Sequence, residues 1–171
     1  MKVRTDFVTN SSSSSFLLAF NSKEDGYKEI AAMTEEYGSE YITVLLSDFS
    51  NAEQIKYEDI RERFADELEG DAYYEMHYGG SPSWYPEKNT FTARWEKKHP
   101  GSTYDDLVSS PEYIAEKARI TDELFKNLFA EIGNCRYLVE LEYEDHTPEG
   151  SMLEHEILPN CDFTVRRFSH H

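Results

Sequence analysis

Cysteine is scarce: Cys135 and Cys161 are the only two in 171 residues. Two thiols build no disulfide framework, and the expectation is reduced cysteines in a cytoplasmic protein. Long apolar runs are missing as well. The opening MKVR is followed by polar TDFVTNSSSSS, and the apolar FLLAF after it is five residues long. Neither a signal peptide nor a membrane span is expected from that pattern. Basic residues are few, 17 Lys and Arg against 34 Asp and Glu, for a net charge of −17. Small soluble domains carry a net charge of about 2 to 8 in magnitude. The excess argues against nucleic acid without a bridging cation and against anionic membranes, whose phosphates require a basic face. Cations, basic proteins and small ligands remain as partners. Several catalytic patterns are absent too: there is no GxSxG, Walker, GxGxxG, HExxH or CxxC spacing, and no solenoid repeat.

The residues present suit a globular chain. Hydrophobic residues make up 39% and aromatics 14%, too rich for disorder, and the length favours a single domain over residues 1–171. Phe16 to Phe20 reads as a short buried strand. A helix is expected over Lys23 to Tyr37, and the β-branched YITVLLS, Tyr41 to Ser47, reads as a central strand. Tyr57, Ile60, Phe64 and Leu68 mark a helix ending at Gly70. A short helix before Pro100 and Gly101 follows the turn-rich GGSPSWYP. Ser109 and Glu112 offer a capping box with Pro111 at the first helical position, and Ile120, Leu124, Leu128 and Ile132 carry that helix to Gly133.

Past Gly133 the period changes. Tyr137 to Tyr143 alternates as a strand, HTPEG reads as a turn, Met152 to Leu158 as a second strand and Phe163 to Phe168 as a third. The expected fold is therefore α+β: a mixed or antiparallel sheet, about three to four helices and a C-terminal three-stranded antiparallel meander.

Three constellations could carry function. His155, His170, His171, Asp145 and His146 crowd the C-terminal region, and imidazole with carboxylate suits one divalent ion, Zn, Mn or Fe. Alternation in a strand would set His155 beside Leu153 and Ile157 and turn Glu154 and Glu156 the other way, so the ligands would be His155, a terminal histidine and Asp145 or His146. The competing reading makes His155 a hydrogen-bonded core residue. Glu140, Glu142 and Glu144 form an acidic face that could meet a basic partner, or be an ordinary solvated sheet face. Should Glu154 and Glu156 share a face, Arg166 and Arg167 are the nearest neutralising cations in sequence. Finally, Tyr73, Tyr74, Tyr78, Trp84, Tyr85, Phe91 and Trp95 are either core or a recognition surface, and Trp84 and Tyr85 are its partner-binding candidates. A pocket holding Trp84 or Trp95 would mark a small-ligand site.

The stretch MKVRTDFVTNSSSSSF, Met1 to Phe16, resembles a leader that recurs on bacterial and phage proteins of no established activity, sharing DFVTN, five serines and a phenylalanine. EYED, LEHEI and the terminal FSHH are similar to the tails of some of them. The resemblance implies a bacterial or phage origin. Residues 1–15 are expected to be a flexible, basic and Ser-rich leader. The expected function is binding to a basic protein partner. The alternative is divalent-metal binding, extending to a metal-dependent hydrolase in which Glu154 or Glu144 serves as acid or base.

Overall fold

Five consecutive apolar side chains cannot face water on alternate sides, so Phe16 to Phe20 needs cover on both faces. In the computed structural model, which describes residues 13–79, 89–144 and 146–170, they lie in strand β1 (Ser13–Phe20) and none is more than 3% exposed. Strand β2 is Gln54–Ile55, β3 is Tyr137–Glu144 and β4 is Thr164–His170. The sheet runs β2, β3, β1, β4 and is antiparallel throughout, with Phe16 opposite Leu141 on one side and Arg167 on the other. β1 thus separates the two late strands, and the expected C-terminal meander does not form. Ser13 to Ser15, the end of the expected Ser-rich leader, open β1, and Ser14 and Ser15 are buried. The rest of that segment lies outside the described residues.

The chain gathers into two compact units, Met1–Asp59 with Ile132–His171, and Ile60–Glu131. In the first, helices α1 (Lys23–Ala32), α2 (Thr34–Tyr37) and α3 (Ser39–Asn51) follow β1. The helix expected over Lys23 to Tyr37 is present with a break at Met33. The strand expected over Tyr41 to Ser47 is α3 instead. Ile42, Leu45 and Phe49 recur at helical spacing and pack with Phe16, Leu18, Phe20, Val139 and Leu141 in one core. That burial outweighs the β-propensity of Ile, Thr and Val, which is weak beside tertiary packing. The strand expected over Met152 to Leu158 is helical too. Thr147 caps helix α9 (Pro148–Met152), its hydroxyl accepting from the Gly150 amide at 3.0 Å with Pro148 at the first position. A π-helical turn, Leu153–Ile157, and the short α10 (Leu158–Asn160) continue from it.

The second unit is helical: α4 (Ile60–Arg63), α5 (Ala65–Tyr78), α6 (Phe91–Lys98), α7 (Tyr104–Val108) and α8 (Pro111–Ile132). Helical segments thus exceed the three or four expected. Ser110, not Ser109, starts α8, its hydroxyl accepting from the Tyr113 amide at 3.2 Å. Met76, Trp95, Leu107 and Tyr113 form a core cluster. Beside it His77 joins Thr92 and Tyr113. The Thr92 hydroxyl donates to the Met76 carbonyl, so it accepts from His77 Nδ1 at 3.1 Å, and His77 Nε2 accepts from the Tyr113 hydroxyl at 3.2 Å. The ring also stacks on Tyr73 at 4.1 Å. Among the described residues no helix is long and apolar enough to cross a membrane.

Two glycines give opposite expectations. Gly26 of α1 lies where an added Cβ would overlap the Phe49 ring and stand 3.0 Å from Phe20. Gly70, expected to end a helix, sits inside α5 with open space around it and no left-handed backbone. Gly26→Ala should cost about 1–3 kcal/mol and Gly70→Ala should add about 0.5–1 kcal/mol, readable as opposite shifts of the denaturation midpoint. His77 gives a pH test. Burial holds its pKa below the ordinary value against the opposing pull of Glu96. A group that binds fewer protons folded than unfolded stabilises fully above its unfolded pKa, and loses that contribution as pH falls through the folded value. Between about pH 7 and pH 5, the thermal midpoint should fall more in the wild type than in His77→Gln.

Candidate functional site

The strand placement expected for His155 among the candidate metal ligands does not hold. His155 lies on the π-helical turn, exposed. With helical spacing, Leu153, Glu154, Ile157 and Leu158 turn inward, so Glu154 is the buried member and His155 faces out. His155 Nε2 stands 3.9 Å from Glu154 Oε2. His146 bonds Glu144, Nδ1 to Oε2 at 2.6 Å, with both side chains more than half exposed. His170 ends β4 opposite Ser13. Asp145, His171, Trp84 and Tyr85 lie outside the described residues. Among the described residues no three His, Cys, Asp or Glu side chains stand close enough to hold one metal ion.

The acidic face of β3 is present: Glu142 and Glu144 are exposed and Glu140 is half-buried, opposite Ser15, Ser13 and Leu17 respectively. On the other sheet face Glu154 is fully buried, and its Oε1 accepts from Ser14 Oγ at 2.8 Å and from Arg167 Nη2 at 2.7 Å. Arg167 Nε also donates to Ser14 Oγ at 3.1 Å, closing a three-membered ring of hydrogen bonds. Arg167, one of the two cations expected to neutralise this region, does so. Three segments singled out in the sequence, the serine run, LEHEI and the end of the chain, meet here. Glu154 Oε2 is buried with no hydrogen-bond partner among the described residues, and the cluster's chemistry is that of a structural ion pair.

A different place in the first unit is open and unbalanced in charge. Glu29, Ala32 and Met33 at the end of α1 and Glu36 and Tyr37 of α2 are spaced as one helical face. With Asn160, Cys161, Asp162 and Phe163 they line a pocket of about 260 Å³. No basic residue lines it. Among the described residues no ion pair reaches Glu29, Glu36 or Asp162, and the three do not form a metal-holding group. Partial burial and then the Glu36 carboxylate, with Asp162 behind it, raise the pKa of the Tyr37 phenol. Burial pushes the Cys161 thiol up to about 11, and its Sγ donates to the Leu158 carbonyl at 3.2 Å, so it is a thiol and no nucleophile at neutral pH. No family model, curated protein or solved structure matches the chain.

The pocket therefore stands on its own chemistry. It offers negative potential, two aromatic rings and no internal counter-ion, which suits an organic cation with several N–H donors better than a bare ion. Sequence reasoning missed it, although Glu29, Ala32, Met33, Glu36 and Tyr37 recur at i, i+3, i+4, i+7 and i+8 within the expected helix. The buried ring gives a stability test. Arg167→Met should cost on the order of 2–3 kcal/mol, below the full value for a broken buried pair because the Arg167 side chain keeps 38% exposure. Glu154→Gln, which keeps an acceptor for Ser14, should cost less. Equal, small losses in urea denaturation would show that the ring carries no such weight.

Proposed function

We propose that this chain is a binding protein that engages basic side chains of a protein partner through the first unit. The observation that carries the reading is the pocket at Glu29, Glu36 and Asp162, three carboxylates around the Tyr37 and Phe163 rings with no ion pair among the described residues. A lysine or arginine from a partner supplies the missing charge, and its alkyl stem or guanidinium plane lies against the rings. The surrounding charge favours encounter. The first unit holds 19 of the 34 acidic residues and 8 of the 17 basic ones, a net charge of −11. Such a field raises association rates and fades with salt, over a Debye length of about 8 Å at physiological ionic strength. The exposed Glu142 and Glu144 add to that field at the sheet.

The test is binding of a fluorescein-labelled arginine-rich peptide, followed by anisotropy in low and physiological salt. Saturable binding that weakens with salt is expected. Reversal of Glu36 and Asp162 together to lysine should lower affinity by about tenfold or more, whereas reversal of Glu142 alone should lower it by about threefold or less. Binding that ignores the Glu36 and Asp162 reversals, or that vanishes only on reversing Glu142 and Glu144, would overturn the assignment to this pocket.

A further inference from the structure

The chain is acidic overall, but one short run inverts the sign. Arg94, Lys97, Lys98 and His99 fall within six residues around Trp95. They sit on α6, which starts where the Thr90 hydroxyl accepts from the Ala93 amide at 3.1 Å. Spacings of four and three residues over two helical turns place Phe91, Trp95 and Lys98 toward a common side. Trp95 is 7% exposed, and His99 stacks on it with ring centroids 4.3 Å apart while bonding the Trp95 carbonyl through Nδ1 at 3.0 Å.

Phe91, Arg94, Trp95, Lys98 and His99 form one wall of a cleft of about 430 Å³, and Glu112 and Glu116 near the start of α8 form the other. The volume is that of a small-molecule site. Its charges are unequally committed. Arg119 grips both oxygens of Glu116, at 2.9 and 3.0 Å, so that carboxylate is already neutralised. Lys98 is exposed, and no carboxylate among the described residues pairs with it. Arg94 is exposed as well and donates to the Asn89 carbonyl, which leaves the other guanidinium donors available. The Trp95 indole N–H is buried and has no acceptor among the described residues. A buried donor left unpaired is costly, and an acceptor arriving with a ligand removes that cost.

We propose that this cleft binds a small planar aromatic carboxylate. The ring system lies against Phe91 and the Trp95–His99 stack, and the carboxylate accepts from Lys98 and Arg94. Glu112, a carboxylate without an ion pair among the described residues, selects against dianions such as phosphate monoesters. The site is separate from the acidic pocket of the first unit and does not rest on the proposal made for it.

The test follows the Trp95 indole signal in proton–nitrogen correlation spectra of the full chain, assigned by its persistence in Trp84→Phe. Titration with 2-naphthoate should shift this signal saturably. The neutral analogue 2-naphthalenemethanol and the dianion 2-naphthyl phosphate should each bind at least about tenfold more weakly. Lys98→Gln, a change at an exposed position that leaves the fold intact, should weaken naphthoate by about tenfold, and Arg94→Gln should do so independently. An unmoved Trp95 signal would overturn the proposal. So would equal binding of the neutral analogue, or naphthoate binding indifferent to both substitutions.

Discussion

Burial of β1 on both faces is the constraint on which the first unit depends. A strand that is apolar at five successive positions has no solvent side, so it must be central, and its neighbours must come from elsewhere in the chain. They come from beyond Gly133, more than a hundred residues later, which makes the unit discontinuous in sequence and its sheet wholly dependent on long-range pairing. Such a strand also specifies its register poorly, because a slip by one residue exchanges Phe16, Leu18 and Phe20 for Leu17 and Ala19 at little hydrophobic cost. The polar ring supplies what the apolar pattern lacks. Ser14 meets Glu154 and Arg167 only when Phe16 stands opposite Leu141 and Arg167. Any slip strands a fully buried carboxylate, and the cost of that far exceeds the cost of exchanging one apolar side chain for another.

The elements most legible in the sequence are those whose period is unambiguous. β1, β3 and β4 were readable from apolar runs and alternation, as were α1 and the long α8 from i+4 steps. The two helical segments that read as strands share one cause. YITVLLS and MLEHEIL are windows of seven, short enough that a β-branched run or a single alternation mimics a strand. Extending the first to Phe49 restores a helical stripe of Ile42, Leu45 and Phe49. In the second, the decisive signal was upstream: Thr147 and Pro148, taken for a turn, are an N-cap and a first helical residue. Once that segment is helical, every inference about its faces inverts, and Glu154 rather than His155 points inward. The strand alternation used to orient His155 among the metal candidates therefore does not apply to this helical segment.

Composition showed that the chain is acidic but could not show where an uncompensated charge would matter. In the β3 row the glutamates are spread along an extended face, where water and salt screen them. In the pocket at α1 and α2 three exposed carboxylates line a concave surface that also carries two aromatic rings and no basic residue, so a single cation can meet several of them at once. The helical spacing of Glu29, Glu36 and Tyr37 was visible beforehand, but Asp162 and Phe163 join them only through the fold. Net charge also concealed the opposite case. Around Trp95 an acidic chain presents cations, and one of the two carboxylates facing them, Glu116, is held by Arg119. The sign of a site is therefore set by which charges remain unpaired after folding. By that measure the first unit offers a place for a cation and the second a place for an anion.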